Sequence, residues 1–170
     1  MDPLESSISG LLAWSMAAMT TSNRLLAGEQ TRIDRSADAL LLMLSMRNLV
    51  RAADWGANTA RGTAQEAARR QAVTEFRQQL PNVVDARDVL EHFDDYATGR
   101  GRLQQRAVRE GQDAPTYSFA VAVDDHDVVI AVGPYRFDVR SIRDACRELA
   151  ITILSLEEQL DTGEAPAALA

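Results

Sequence analysis

The sequence predicts a mainly α protein, an antiparallel helical bundle of about five helices with a small antiparallel β-meander (about 116–137) before the last helix. Three observations lead to this prediction. Apolar residues recur at intervals of three and four over most of the chain, which is the period of a buried helix face. Near residue 120 the pattern changes to β-branched runs. Alanine and leucine are plentiful while aromatic residues make up only 5% of the chain, a balance that favours helices.

The first two predicted helices are long. The first covers residues 4–26 and stops at Gly28, and the second covers about 33–55 and is broken at Gly56. Residues 39–44 of the second helix are apolar on all sides, which predicts a central place in the bundle.

The third helix is predicted at about 63–80 and ends at Pro81, because proline cannot continue the helical hydrogen bonds. Asn82 is the expected N-cap of a fourth helix that reaches residue 97. The apolar seam of this helix is predicted to pack against the last helix; its residues are Val83, Ala86, Leu90, Phe93 and Ala97.

The meander is predicted from two β-prone runs, 117–123 and 128–132, joined by a tight polar turn, with a third short strand at 135–137. We expect the strand at 128–132 to be covered, since an exposed apolar edge would promote aggregation. Asp138 then caps the last helix, which has the most regular apolar period in the chain. Residues 1–161 are predicted to form one domain, followed by a flexible tail at 162–170.

Composition narrows the classes of function. The net charge of −7 disfavours general binding to polyanions. All 18 basic residues are arginine, which indicates a GC-rich, bacterial genome. A single cysteine, Cys146, on an apolar seam points to a reducing cytoplasm, and no apolar run approaches the ~18 residues of a membrane span. With two histidines, no cysteine pair and no phosphate-binding glycine loop, neither a metal nor a cofactor is expected.

Four arginines lie close together in a polar stretch between the fourth helix and the meander: Arg100, Arg102, Arg106 and Arg109. They form either an ordinary solvated loop or short helix, or a contact for an anion or an RNA backbone.

One motif on the fourth helix carries a functional hypothesis. Arg87 is followed, after four intervening residues, by His92 in the string Arg-Asp-Val-Leu-Glu-His-Phe-Asp-Asp. This spacing in a helical bundle resembles the signature of the HEPN superfamily. The resemblance implies an all-helical, often dimeric domain in which the arginine and histidine of both subunits line a metal-independent ribonuclease site. The string is similar to those of HEPN-like proteins in bacterial defence and toxin–antitoxin systems.

The chemistry of such a site assigns a role to each residue. His92 would act as the acid or base beside a ribose 2′-hydroxyl, and Arg87 would stabilise the extra charge on the phosphate. Asp88 is a candidate for orienting His92. On one helix Arg87 and His92 lie about 140° apart, so a symmetric dimer would be needed to bring them together.

The same residues also fit an ordinary helix surface. Arg87 with Glu91, and Asp88 with His92, have the four-residue spacing of helical ion pairs. Two functions therefore remain open. The preferred one is a homodimeric, non-catalytic protein-interaction module of the bacterial cytoplasm, whose acidic charge suits a basic protein partner. The alternative is a ribonuclease that uses Arg87 and His92.

Overall fold

The computed structural model describes residues 3–63, 65–123 and 127–162, with side chains up to residue 159. Within these ranges the chain is mainly helical and has a small three-stranded antiparallel sheet before the last helix, as predicted. The elements in chain order are α1 (Pro3–Ala27), α2 (Arg32–Thr59), α3 (Gln65–Gln79), α4 (Val83–Glu91), α5 (Phe93–Ala97), α6 (Arg102–Arg109), β1 (Phe119–Val123), β2 (Val128–Val132), β3 (Tyr135–Asp138) and α7 (Val139–Thr162). The described elements exceed the expected five helices because the predicted fourth helix is divided and the arginine-rich stretch forms α6.

α1 and α2 form a closely packed antiparallel pair. The buried face of α1 consists largely of small residues, among them Ser7, Ser15, Ala18 and Ser22. The serine hydroxyl groups donate to carbonyls of the same helix, as Ser22 does to the Ala18 carbonyl at 2.6 Å. Small side chains and internally bonded hydroxyls let the two backbones approach without leaving polar groups unsatisfied.

Gly56 does not break the second helix, contrary to the prediction, because α2 continues to Thr59. The glycine lies instead where three elements meet. A Cβ atom placed on Gly56 would lie 3.0 Å from Ser7 Oγ and 3.2 Å from Arg69 Nη1. The missing side chain therefore makes room for a buried arginine.

Arg69 of α3 is the largest polar side chain in the core and is 1% exposed. Its guanidinium forms an ion pair with Glu157 of α7. Next to this pair, the Gln65 amide donates to the Leu156 carbonyl at 2.7 Å. Burial lowers the pKa of Arg69, and the neighbouring carboxylate compensates for the lost hydration. Polar contacts thus join α3 to α7 within the core.

The sheet has the order β1-β2-β3, with β2 in the centre. Alternate residues Val128, Ile130 and Val132 are buried beneath it, so the predicted covering of this strand is confirmed. Asp138 caps α7 as predicted, since its Oδ1 accepts from the Ser141 amide at 2.7 Å.

The predicted fourth helix is not continuous. His92 has non-helical dihedral angles, φ −119° and ψ 37°, and separates α4 from α5. The change of direction brings Tyr96 into the core and leaves Phe93, which we expected on the seam, 50% exposed. Asn82 takes the N-cap position in a left-handed conformation, but its side chain forms no capping hydrogen bond. α4 packs mainly against α2 and β2. The prediction that it packs mainly against the last helix, α7, is therefore wrong.

The buried ion pair generates a stability prediction. Glu157→Gln leaves the Arg69 guanidinium buried without a counterion, which costs about 3–5 kcal/mol of unfolding free energy. Glu110→Gln is the matched control, because its pair with Arg106 is exposed and solvent screening leaves such a pair with little effect on stability. Urea unfolding of both variants measures the difference. Equal stabilities would contradict the structural role of the pair.

Candidate functional site

Arg87, the arginine of the predicted motif, belongs to an ion bridge between α4 and α2. Its Nε donates to Glu91 Oε2 at 2.8 Å, which confirms the predicted pair on the helix surface. The other oxygen of Glu91 pairs with Arg47 of α2. One carboxylate therefore contacts two arginines and joins the two helices, and the three side chains together keep one net positive charge.

Arg47 is the more enclosed of the two arginines, with 22% of its side chain accessible against 38% for Arg87. Glu91 is its carboxylate partner. The Nε of Arg47 is buried and has no hydrogen-bond partner in the part of the chain that the structure describes.

The ion bridge crosses a groove between α2 and α4. On one side of the bridge the groove is lined by Leu40, Met43, Leu44 and Leu90. This first part encloses about 190 Å³ and the second part, on the other side of the bridge, about 70 Å³. Both volumes lie below the roughly 300–1,000 Å³ of typical small-molecule sites. The lining of this second part includes the apolar residues Val50, Val83 and Val84 and the arginines Arg51 and Arg77. The shape suits contact with a protein surface better than enclosure of a metabolite.

Asp88 points away from this groove. Its Oδ2 accepts from the Tyr96 hydroxyl at 2.7 Å and from Arg102 Nε at 3.3 Å. Arg102 also donates to Asp85 at 2.9 Å. The predicted pairing of Asp88 with His92 is therefore wrong: Asp88 holds α5 and α6 against α4. The carboxylate takes these partners because Tyr96 is buried and its hydroxyl needs an acceptor.

Tyr96 is the centre of this packing. Its hydroxyl also accepts from the Leu103 amide at 3.2 Å, and its ring meets that of Tyr117 edge-on at 4.6 Å. Burial, and then the bond to Asp88, raise the pKa of Tyr96. A hydroxyl that holds its proton so firmly is a structural donor, not a catalytic base.

His92 lies at the surface, at the break between α4 and α5. Within the described residues its imidazole has no hydrogen-bond or ion-pair partner. The three predicted site residues thus face different surroundings: Arg87 lies in the ion bridge, Asp88 in the tyrosine packing and His92 in solvent. One subunit does not assemble them into a site.

The arginines of the polar stretch are engaged within the chain. Arg102 pairs with Asp85 and Asp88, and Arg106 pairs with Glu110 at 2.9 Å. Cys146 is fully buried, and this burial raises the pKa of its thiol to about 12, as expected for a core residue.

The feature that the sequence interpretation missed is a stripe of side chains along α2, all exposed except the half-buried Asn48. We call it the α2 stripe, and its residues are Ile33, Ala37, Leu40, Leu44, Asn48, Arg51 and Trp55. At 100° per residue they lie within an arc of about 80°. Ile33 is 81% exposed, Leu44 44% and Trp55 46%. The open side of α2 was hidden in the sequence because its residues between 39 and 44 are as apolar as those that face the core.

The α2 stripe lies between two shallow depressions. One is the groove beside α4, and the other is formed with α1 and is lined by Ser6, Gly10, Trp14, Asn48 and Trp55 together with neighbouring α2 residues. Large apolar side chains exposed together on one surface are typical of protein–protein contact sites.

No protein-family model, curated protein sequence or solved structure matches this chain. Across the described residues, no helix has both the length and the apolar composition needed to cross a bilayer. The same residues contain no cluster of histidine, cysteine and carboxylate side chains arranged to hold a metal ion.

The different surroundings of Asp88 and His92 predict different effects of substitution on the unfolding free energy. Asp88→Ala removes the acceptor of a buried hydroxyl and should lower the unfolding free energy by about 1–3 kcal/mol. His92→Ala changes an exposed residue without a partner and should alter it by less than about 0.5 kcal/mol. Thermal and urea unfolding test both. A larger loss with His92→Ala than with Asp88→Ala would contradict the assignment.

Proposed function

We propose that this chain is a homodimeric, non-catalytic protein-interaction module, and that the α2 stripe with its two flanking depressions is its interaction surface. The observation that carries the proposal is that four large apolar side chains on one face of α2 are exposed: Ile33, Leu40, Leu44 and Trp55. Burying a leucine or isoleucine side chain contributes about 1.5–3 kcal/mol. A partner on this surface would remove several such side chains from water at once.

The ion bridge supports an interaction role over catalysis. A ribonuclease needs a cation that is free to meet the developing phosphate charge. In this chain Arg87 and Arg47 share Glu91, and Arg77 pairs with Asp54 at 2.8 Å. Because each of these arginines already contacts a carboxylate of its own chain, a partner surface can cover the bridge without leaving a guanidinium buried away from any counterion.

The lone cysteine is compatible with a reducing cytoplasm, which forms part of the proposal. An acidic chain with a net charge of −7 also leaves its other faces able to attract a basic protein. In that arrangement the α2 stripe holds two copies together, and the acidic faces remain available to a further partner.

The dimer makes a direct prediction. The native chain should have the mass of two chains in size-exclusion chromatography with light scattering. Leu44→Glu places a charge in the middle of the stripe and should weaken association at least ~30-fold, the effect of losing a central contact of ~2 kcal/mol. Val108→Glu is the matched control, since Val108 is 58% exposed but lies on α6.

Two outcomes would contradict this proposal. One is a native chain that stays monomeric at all concentrations. The other is a native dimer that Val108→Glu dissociates as readily as Leu44→Glu. Circular dichroism of each variant shows whether the fold is retained.

The HEPN-like ribonuclease is the second candidate, and one observation favours it. His92 is exposed and has no partner within the described residues, so its imidazole would be available to a substrate. Under this hypothesis two copies supply Arg87 and His92 to one phosphate, because one subunit separates them.

The ribonuclease hypothesis is tested in bacteria. Expression of the native chain would slow growth and degrade RNA, and His92→Ala would abolish both effects while Arg109→Ala, a surface control, would retain them. Equal growth and intact RNA with all three proteins would rule the nuclease out. Both candidates require a dimer, so the growth and RNA measurements, and not light scattering, distinguish them.

A further inference from the structure

The spacing of the α2 stripe is symmetric about Leu44. The successive intervals from Ile33 to Trp55 are four, three, four, four, three and four residues. Each position on one side of Leu44 therefore has a counterpart at the same distance on the other side. Ile33 corresponds to Trp55, Ala37 to Arg51, and Leu40 to Asn48.

From this symmetry we infer that the occupant of the stripe is a second copy of the chain, with the two α2 helices antiparallel and a two-fold axis passing at Leu44. This inference rests on the proposed function and specifies its geometry. Leu44 would contact the partner's Leu44, and Trp55 would contact the partner's Ile33. A self-complementary patch of this kind is what a closed two-fold dimer requires.

Charge favours the antiparallel arrangement over the parallel one. Arg51 is the single ionisable residue of the stripe and has no charged partner among the described residues. In a parallel pair it would face the partner's Arg51, and like charges facing each other are destabilising. In the antiparallel pair Arg51 faces the partner's Ala37 and lies within one helical turn of the partner's Asp34. The one exposed cation on the stripe then gains an opposite charge.

The area also fits a second copy. The stripe spans 23 residues, which corresponds to about 34 Å of helix. With half of each flanking helix included, the footprint is roughly 20 Å wide and roughly 700 Å² in area, close to the ~800 Å² per partner of a stable interface. Each arginine of the ion bridges beside the stripe contacts a carboxylate of its own chain, so none of them depends on the second copy for that contact.

Cysteine cross-linking under mild oxidation tests the axis. Leu44→Cys should be recovered mainly as a covalent dimer, because the two thiols face each other across the axis. Ile33→Cys alone and Trp55→Cys alone should not cross-link, since each pair of thiols would be about 33 Å apart. Co-expression of these two variants should restore a cross-link between them. The native Cys146 does not interfere, because it is fully buried and its thiol pKa is raised to about 12.

The outcomes separate the inference from the proposed function. Ile33→Cys cross-linking to itself would indicate parallel helices and overturn the inference. A dimer by light scattering in which Leu44→Cys fails to cross-link would place the interface elsewhere, so the inference fails while the homodimer stands. A chain that is strictly monomeric by light scattering would contradict both the inference and the proposed homodimer. Val108→Cys serves as the control for random collision and should remain uncross-linked.

Discussion

The close approach of α1 to α2 is the constraint on which the rest of the structure depends. Small residues allow it: a Cβ atom on Gly10 would lie 3.6 Å from the Ala52 Cβ, and Gly56 meets Ser7 directly. Once these backbones are in contact, the rotation of α2 about its own axis is set. One face then meets α1, others meet α3 and α4, and a fourth remains open to solvent. Gly56 also leaves the space that Arg69 fills, so the same contact permits the ion pair that joins α3 to α7.

The open face of α2 links this packing to function. A helix placed at the centre of a bundle is expected to bury apolar residues on every side, yet α2 exposes several large ones along its whole length. Exposed apolar surface of this extent costs solubility unless something covers it. The ion bridge through Glu91 lies beside the stripe and ties α4 to α2, so the surface offered to a partner is held rigidly by two helices.

Most of the architecture could be predicted from the sequence because it depends on local period and turn chemistry. The helical spacing located the long helices, the β-branched runs located the strands, and Asp138 marked the start of α7. The errors have tertiary causes. Gly56 resembles a helix stop but serves packing, and His92 carries no local signal for the break that buries Tyr96. Within the site, the Arg87–Glu91 pair could be predicted from its four-residue spacing. The contact of Arg47 with Glu91 and that of Asp88 with Tyr96 could not, because each joins residues of different helices.

Hydroxyl-radical footprinting of the native chain tests most directly whether the α2 stripe is covered in solution. Leu44 and Trp55 should be strongly protected at high protein concentration and become labelled on dilution. Met16 of α1, 68% exposed and outside the stripe, should be labelled equally at both concentrations. The account would be contradicted if Leu44 and Trp55 were labelled in proportion to their exposure in the single chain and this labelling did not change with concentration.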